Sequence, residues 1–209
     1  HFILIPSNCS KIINIGKKLY QLRLVFGSAG NLSLRLDSKN ILITSTGACL
    51  GSLNIKNIIK VDITKAKPDK PVSSEYPLHT LIYKNLPVRS IIHCHPPLTN
   101  AYFSIYKDLK NLTFESAFYL GKIAVIEHRA LTITKPQKVI AALKDRNLVV
   151  VRNHGVVSVG KDFEEALRPI EILEESIKVV AVARLFDKKI LDNLDKEIKK
   201  LIVQPHKPS

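Results

Sequence analysis

The sequence predicts one α/β domain whose sheet contains both antiparallel and parallel strands. Segments with the apolar period of a strand alternate with segments that have the period of a helix along the whole chain. Some neighbouring strands are joined by short turns, which makes them hairpins and the sheet mixed. The 209 residues contain no repeat and no linker, so we expect a single domain over residues 1–209, in which residues 188–209 form a helical tail.

The first half of the chain starts with a helix and continues with strands. We expect a helix capped by Ser7 or Ser10 that ends near Val25, because isoleucines and leucines recur on one face. Residues 31–36 alternate with period two, as a half-buried strand does, and a turn leads to a returning strand over 41–44. Residues 58–63 form the next predicted strand.

The second half alternates strands and helices more regularly. The predicted elements are a helix after Ser73-Ser74-Glu75, a strand over 88–94, a helix started by Pro96-Pro97, a strand over 123–126, a helix from Pro136 to about Lys144, strands over 148–151 and 156–159, and a long helix over 162–186. Strands 148–151 and 156–159 flank a tight Asn153-His154-Gly155 turn.

The net charge of +14 is the unusual feature of the composition. Such a charge suggests a nucleic acid or an anionic membrane surface as partner. The basic residues are scattered singly or in pairs, however, and the excess lies entirely in residues 1–160. No zinc-finger spacing, arginine-rich arm or membrane-spanning apolar run accompanies it, so we expect neither nucleic acid nor membrane as a partner.

The cysteines and the N-terminal segment predict a cytoplasmic protein. Cys9, Cys49 and Cys94 are odd in number and show no metal-ligand spacing, which favours a reducing compartment. The segment before Ser7 is short and lacks the basic leader of a signal peptide.

Three histidines suggest a metal site. His93 and His95 close a predicted strand, so their side chains point to one face while Cys94 points to the other. His154 lies in the turn after another buried strand and could supply a third nitrogen. Three histidine nitrogens with an open position are typical of catalytic zinc. The alternative is that these are ordinary hydrogen-bonded histidines.

Glu75 is the candidate acid/base. It lies in the first turn of a predicted helix, where a carboxylate interacts well with the helix dipole, so simple capping is the alternative. A carboxylate beside a metal could instead accept a proton from a substrate. His79, four residues further on, is interpreted as structural.

Three turns of small residues are candidate phosphate sites. They are Gly30-Asn31, Thr46-Gly47 and Ser73-Ser74. Each offers backbone N–H groups, and the last adds a helix N-terminus, which attracts anions.

Together these segments resemble the class II aldolase/adducin family, in particular its fuculose-1-phosphate-type aldolases. The matching segments are Gly-Ser-Ala-Gly-Asn-Leu-Ser (27–33), Ile-Thr-Ser-Thr-Gly (43–47), Ser-Ser-Glu-Tyr-Pro-Leu-His (73–79), His-Cys-His-Pro (93–96) and Asn-His-Gly (153–155). They occur in the order found in the family, over about residues 10 to 185.

The resemblance implies a three-layer α/β/α sandwich around a central mixed, mostly antiparallel sheet. It implies one Zn²⁺ per chain, held by His93, His95 and His154, with Glu75 as acid/base that can also act as fourth ligand without substrate. It implies that the substrate phosphate is bound by Gly30, Asn31, Thr46, Gly47, Ser73 and Ser74. Many members of the family are homotetramers with the site between subunits.

The reaction implied is reversible cleavage of a ketose 1-phosphate to dihydroxyacetone phosphate and a small aldehyde, through a zinc-stabilised enediolate. Alternatives on the same site are a methylthioribulose-phosphate dehydratase and a pentulose-phosphate 4-epimerase, although the epimerases usually have Asp where this chain has Glu75. A non-catalytic basic binding module is the remote alternative. Some members use a tyrosine near the C-terminus, whereas here no tyrosine follows Tyr119. Glu115, Phe118 and Tyr119 lie in the segment where other members place residues that contact the substrate.

Overall fold

The computed structural model describes residues 7–65, 68, 70–186, 197, 198 and 200. The helices are α1 (Ser7–Gln21), α2 (Tyr76–Asn85), α3 (Pro97–Ile105), α4 (Phe114–Leu120), α5 (Pro136–Leu143) and α6 (Phe163–Phe186). The strands are β1 (Asn31–Arg35), β2 (Asn40–Thr44), β3 (Ile58–Asp62), β4 (Ser90–Cys94), β5 (Ala124–Ile126), β6 (Leu148–Val151) and β7 (Gly155–Gly160). No helix within these residues is long and apolar enough to cross a bilayer.

The predicted three-layer α/β/α architecture is confirmed. The seven strands form one sheet in the order β3-β2-β1-β4-β7-β6-β5, in which only the β5–β6 pair is parallel. Side chains of α1, α3 and α6 bury one face of the sheet, and side chains of α2 and α5 bury the other. Because neighbouring residues of a strand point to opposite faces, Ile91 joins the second core and Ile92 the first.

Seven strand termini meet at one end of the sheet, which we call the site end. It is formed by the starts of β1, β3 and β7 and by the last residues of β2, β4, β5 and β6. Asn31 pairs with His93, and Cys94 pairs with Val156. On the far side, Val151 pairs with Ile126. The antiparallel register therefore brings segments that are distant in sequence to a single location.

The first helix ends earlier than predicted, at Gln21 rather than near Val25. Arg23 has a φ of +58°, its N–H bonds to the Tyr20 carbonyl, and the Leu24 N–H bonds to the Leu19 carbonyl. These bonds form a Schellman motif, which ends a helix with a residue in the left-handed conformation. The apolar period continues past the helix because Leu24 and Val25 are buried in the same core as Leu19.

Strand β1 is buried on both faces, whereas its alternating sequence predicted a half-buried strand. Leu32 and Leu34 face the core formed by α1 and α6. Ser33, which lies on the opposite face, is also fully buried because α2 covers it. Its hydroxyl is satisfied by hydrogen bonds to α2 side chains rather than by water.

One helix of the structure was not predicted, and one predicted helix lies mostly outside the described residues. Helix α4 was not predicted; its N-terminus is marked by Thr113, whose hydroxyl accepts the Ser116 N–H. The predicted helical tail over 188–209 lies outside the described residues, except for 197, 198 and 200. A single domain over 1–209 stays a prediction.

Replacing Arg23 with glycine should stabilise the protein. A side chain in the left-handed region costs roughly 1–2 kcal/mol, part of which is offset by the greater freedom of glycine in the unfolded chain. We therefore expect Arg23→Gly to raise the free energy of unfolding by about 1 kcal/mol in urea titrations. A loss of stability would contradict the assignment of the Schellman motif.

Candidate metal centre

Strand β4 and the turn between β6 and β7 supply the three predicted histidines. His93 lies within β4 and His95 directly after it, on the face covered by α2, while Cys94 is buried in the core on the opposite face. His154 follows Asn153, whose φ of +59° completes the tight turn. Asparagine is one of the few residues other than glycine that tolerates this conformation.

The three imidazole rings form a compact cluster. One ring nitrogen from each of His93, His95 and His154 lies within 4.8 Å of the other two. His93 Nε2 and His95 Nε2 are 3.0 Å apart, and the ring centroids are 4.8–4.9 Å apart. Three imidazole nitrogens this close together are a donor set of the kind that binds zinc.

Hydrogen bonding orients the His93 ring, and burial favours the neutral form of all three rings. His93 Nδ1 bonds to the Val156 carbonyl at 2.9 Å, so Nδ1 carries the proton and Nε2 keeps its lone pair. His154 Nε2 is buried without a hydrogen-bond partner in the described residues. Burial lowers the pKa of all three histidines, that of His154 to about 4, and the neighbouring rings lower the values of His93 and His154 further. Neutral imidazoles are the form of histidine that binds a divalent cation, so this cluster fits one.

Close backbone contacts support this cluster. A Cβ on Gly155 would overlap the carbonyl oxygen of Cys94 and lie 2.7 Å from His95 Cδ2. A Cβ on Gly30 would lie 2.8 Å from the carbonyl oxygen of His93, and Gly30 has a φ of +84°. Both positions therefore require glycine, one on each side of β4.

Glu75 is placed beside the histidine cluster. It immediately precedes α2 rather than lying in its first turn, and its side chain makes no capping hydrogen bond to the helix. Its Oε1 accepts the Ile133 N–H at 3.0 Å and lies 4.0 Å from His154 Nε2. Burial raises the pKa of the carboxyl group, an effect that the Ile133 hydrogen bond and His128 partly oppose. A raised pKa suits a group that must both accept and release a proton.

The three small-residue turns also meet at the site end of the sheet. The Ser73 N–H bonds to the Thr44 carbonyl, and the Thr46 N–H bonds to the Pro71 carbonyl, which places two of the turns side by side. Asn31 begins β1 next to them. These bonds occupy the N–H groups of Ser73 and Thr46, whereas those of Gly47 and Ser74 are unbonded within the described residues.

A buried chain of hydrogen bonds orients the Asn31 side chain. His79 Nε2 lies 2.6 Å from Asn31 Oδ1, His79 Nδ1 lies 2.6 Å from Ser33 Oγ, and Ser33 Oγ lies 2.9 Å from the Tyr83 hydroxyl. With Oδ1 as acceptor, His79 donates from Nε2 and accepts the Ser33 hydroxyl at Nδ1. Asn31 then has its NH₂ group available for a ligand. The structural interpretation of His79 agrees with these bonds.

One residue of this region, His128, was not predicted from the sequence. It is buried, its ring centroid lies 5.1 Å from that of His154, and its Nε2 has no hydrogen-bond partner in the described part of the chain. A signal was present, because His128 follows the predicted strand 123–126 by two residues. The same position relative to a strand end identified His95 and His154.

The fold and the site together define a family, and comparison with known proteins agrees. Residues 10–181 match the class II aldolase and adducin N-terminal domain family. The chain belongs to this family, and its relatives are enzymes of the lyase type.

Two groups of relatives are prominent. An L-fuculose phosphate aldolase from Methanocaldococcus jannaschii is 34% identical over 85% of this chain and 98% of the relative. A 3-oxo-tetronate 4-phosphate decarboxylase from Pectobacterium atrosepticum is 31% identical over 87% of this chain and 86% of the relative. The crystal structure of L-fuculose-1-phosphate aldolase from Thermus thermophilus aligns with a TM-score of 0.77 and 25% identity, over 85% of this chain and 94% of that one.

Burial of His79 predicts a loss of stability in acid. Burial lowers its pKa to about 3, against an ordinary value of about 6.5 in the unfolded chain. Between these values the unfolded state binds one more proton, so the free energy of unfolding falls by about 1.4 kcal/mol per pH unit as the pH decreases.

The test is urea unfolding of the metal-free protein between pH 4 and 6. We expect His79→Gln to reduce the slope of stability against pH by one proton. Tyr83→Phe is the control, because it removes a hydrogen bond of the same chain and should lower stability without changing the slope. An unchanged slope in His79→Gln would contradict the burial of a neutral imidazole.

Proposed function

We propose that this protein is a zinc-dependent class II aldolase that cleaves a ketose 1-phosphate to dihydroxyacetone phosphate and a small aldehyde. The observation that carries the proposal is the position of Glu75, a buried carboxylate with a raised pKa, 4.0 Å from one of three clustered neutral histidines. The L-fuculose phosphate aldolase relatives support the same reaction.

His93, His95 and His154 would hold one zinc ion per chain. When bound, the ion supplies a Lewis acid that stabilises the negative charge developing on the substrate carbonyl oxygen during carbon–carbon cleavage. The bond between His93 Nδ1 and the Val156 carbonyl keeps the His93 ring oriented. The glycines beside β4 let the backbone approach closely enough to hold the rings together.

Glu75 would donate the proton that the substrate fragment needs after cleavage. Cleavage leaves an electron pair on the carbon next to the carbonyl group, and this carbon must be protonated to release the three-carbon product. Burial raises the pKa of Glu75, which favours its acid form more than in an exposed carboxyl group, and the Ile133 N–H holds the carboxyl group in place. Without substrate, the same carboxylate would serve as a fourth ligand.

The turns at the site end would bind the phosphate. Phosphate oxygens accept hydrogen bonds from N–H and O–H groups of the kind found here. These groups are the unbonded N–H groups of Gly47 and Ser74, the amide of Asn31, and the hydroxyl groups of Ser73 and Thr46. Gly30 contributes a backbone conformation that places Asn31 beside His93. The excess positive charge of the chain would attract such an anion.

Decarboxylation of a sugar-acid phosphate is the second candidate reaction. The 3-oxo-tetronate 4-phosphate decarboxylase relatives favour it. Loss of CO₂ and loss of an aldehyde both leave an electron pair beside a carbonyl group, so the same residues could serve both reactions. The dehydratase and epimerase alternatives, the homotetramer and the cytoplasmic location stay predictions.

The metal assignment is tested by zinc analysis. We expect the purified protein to contain about one zinc ion per chain, and His93→Ala to lose it because a ligand is removed. His79→Gln is the control, since it changes a buried histidine outside the cluster and should retain zinc. Full cleavage of a ketose 1-phosphate by metal-free protein would contradict the proposal.

The role of Glu75 is tested by an isosteric change. Glu75→Gln should keep zinc and the fold but lower kcat by about 100-fold or more, because the amide cannot transfer the proton. Release of dihydroxyacetone phosphate from a panel of ketose 1-phosphates, measured beside CO₂ release from sugar-acid phosphates, distinguishes the two reactions. Unchanged turnover in Glu75→Gln would remove its assignment as acid/base.

A further inference from the structure

We propose that a basic pocket beyond the metal centre binds a carboxylate at the end of the substrate opposite the phosphate. The substrate would then be a sugar-acid phosphate, and the aldehyde released would itself carry a carboxylate. This inference rests on the proposed function, because it assigns the second half of the substrate of the same site.

The basic pocket is an open cavity of about 640 Å³ formed by the segment that follows α3 and by the loop after β5. Lys107, Glu127, His128, Arg129, Thr134 and Lys135 line it. Three of these side chains are cationic. A pocket lined with cations beside a buried histidine is suited to an anion rather than to the neutral end of a simple aldehyde.

The acidic residue of the basic pocket does not neutralise these cations. The Glu127 carboxylate forms an ion pair with Arg152 at 2.6 Å, so its charge is already compensated by a fourth cation. Lys107, Arg129 and Lys135 form no ion pair with any described residue. The pocket therefore has an excess of about three positive charges available to a ligand.

One residue that lines the basic pocket, His128, has a buried ring nitrogen without a hydrogen-bond partner among the described residues. His128 is 7% exposed, and its Nε2 makes no hydrogen bond within the part of the chain that is described. A buried polar atom without a partner is costly, and such atoms commonly bind a ligand or water. With its proton on Nε2, His128 would donate to one carboxylate oxygen, while the cations interact with the other.

The order of the strands places the basic pocket on the far side of the metal centre from the phosphate turns. The turns lie at β1 and β2, the histidines at β4 and the β6–β7 turn, and His128 after β5. From β1 to β7 is two strand spacings, roughly 10 Å, which is about the length of an extended pentose or hexose phosphate. His128 reaches back from β5 to the His154 ring, so the pocket begins where such a substrate would end.

The carboxylate bound here would be retained in the aldehyde product. Loss of CO₂ requires the carboxylate to give up its charge, so three cations around it would stabilise the reactant and oppose decarboxylation. In aldol cleavage the carboxylate is a spectator. The hydroxyl group on the departing fragment gives its proton to solvent water and becomes the aldehyde, while the electron pair of the broken bond remains on the phosphate-bearing fragment, where Glu75 protonates it and is later reprotonated from solvent.

The test compares ligands that differ only in the terminal group. 6-Phosphogluconate is matched with glucitol 6-phosphate, and 4-phosphoerythronate with erythritol 4-phosphate; each pair exchanges a carboxylate for a hydroxymethyl group. Calorimetric titration of the zinc-loaded protein gives the dissociation constants. We expect the carboxylate of at least one pair to bind about tenfold tighter, and this preference to decrease as salt is added.

Variants locate the preference in the basic pocket. Arg129→Gln and Lys135→Gln should each reduce the carboxylate preference by about two- to fivefold, as expected for a partly exposed ion pair. Binding of the hydroxymethyl ligands should hardly change. Lys56→Gln is the matched control, because it removes the same charge from an exposed position beside β3, at the opposite side of the sheet.

Each outcome gives a separate answer. Equal binding within both pairs would overturn this inference and leave the proposed function intact. A carboxylate preference that survives both pocket substitutions would also overturn it, since the carboxylate would then be contacting the zinc ion. If none of the four ligands binds, this inference is overturned, whereas the proposed function is judged separately by the cleavage of ketose 1-phosphates.

Discussion

Close packing of backbone on both sides of β4 is the constraint on which the candidate site depends. Gly30 lies against the His93 carbonyl on one side, and Gly155 lies against the Cys94 carbonyl and the His95 ring on the other. A methyl group at either position would push a neighbouring segment away from β4. Because the histidines are on β4 and on the turn that ends at Gly155, the same contacts set the distances between the three rings.

Burial shifts the pKa of the clustered histidines and of Glu75. Exclusion of water lowers the pKa of the histidines, which favours their neutral form, and raises that of Glu75, which favours its protonated form. The same low polarity requires partners for the remaining polar groups, and the chain from Tyr83 through Ser33 and His79 to Asn31 supplies them. The buried hydrogen bonds therefore form one chain that leads from α2 to Asn31 at the site end of the sheet.

Much of the fold and the site could be predicted from local patterns. The hairpin of β1 and β2, the long α6 and the proline start of α3 are local features, and all were predicted within a few residues. The helix end at Arg23 was not, because buried Leu24 and Val25 continue the apolar period after the backbone has turned. Helix α4 was missed because its seven residues are too short to show a clear period.

The sequence by itself determined the residue types and the motif order: three histidines and a glutamate at strand and helix ends, and small residues in turns. Only the tertiary structure decided which groups meet. Non-local strand pairing brings Asn31 to His93, and the loop after β5 brings His128 to His154 and the Ile133 N–H to Glu75. These contacts join residues more than twenty positions apart, and periodicity reports only on neighbours along the chain.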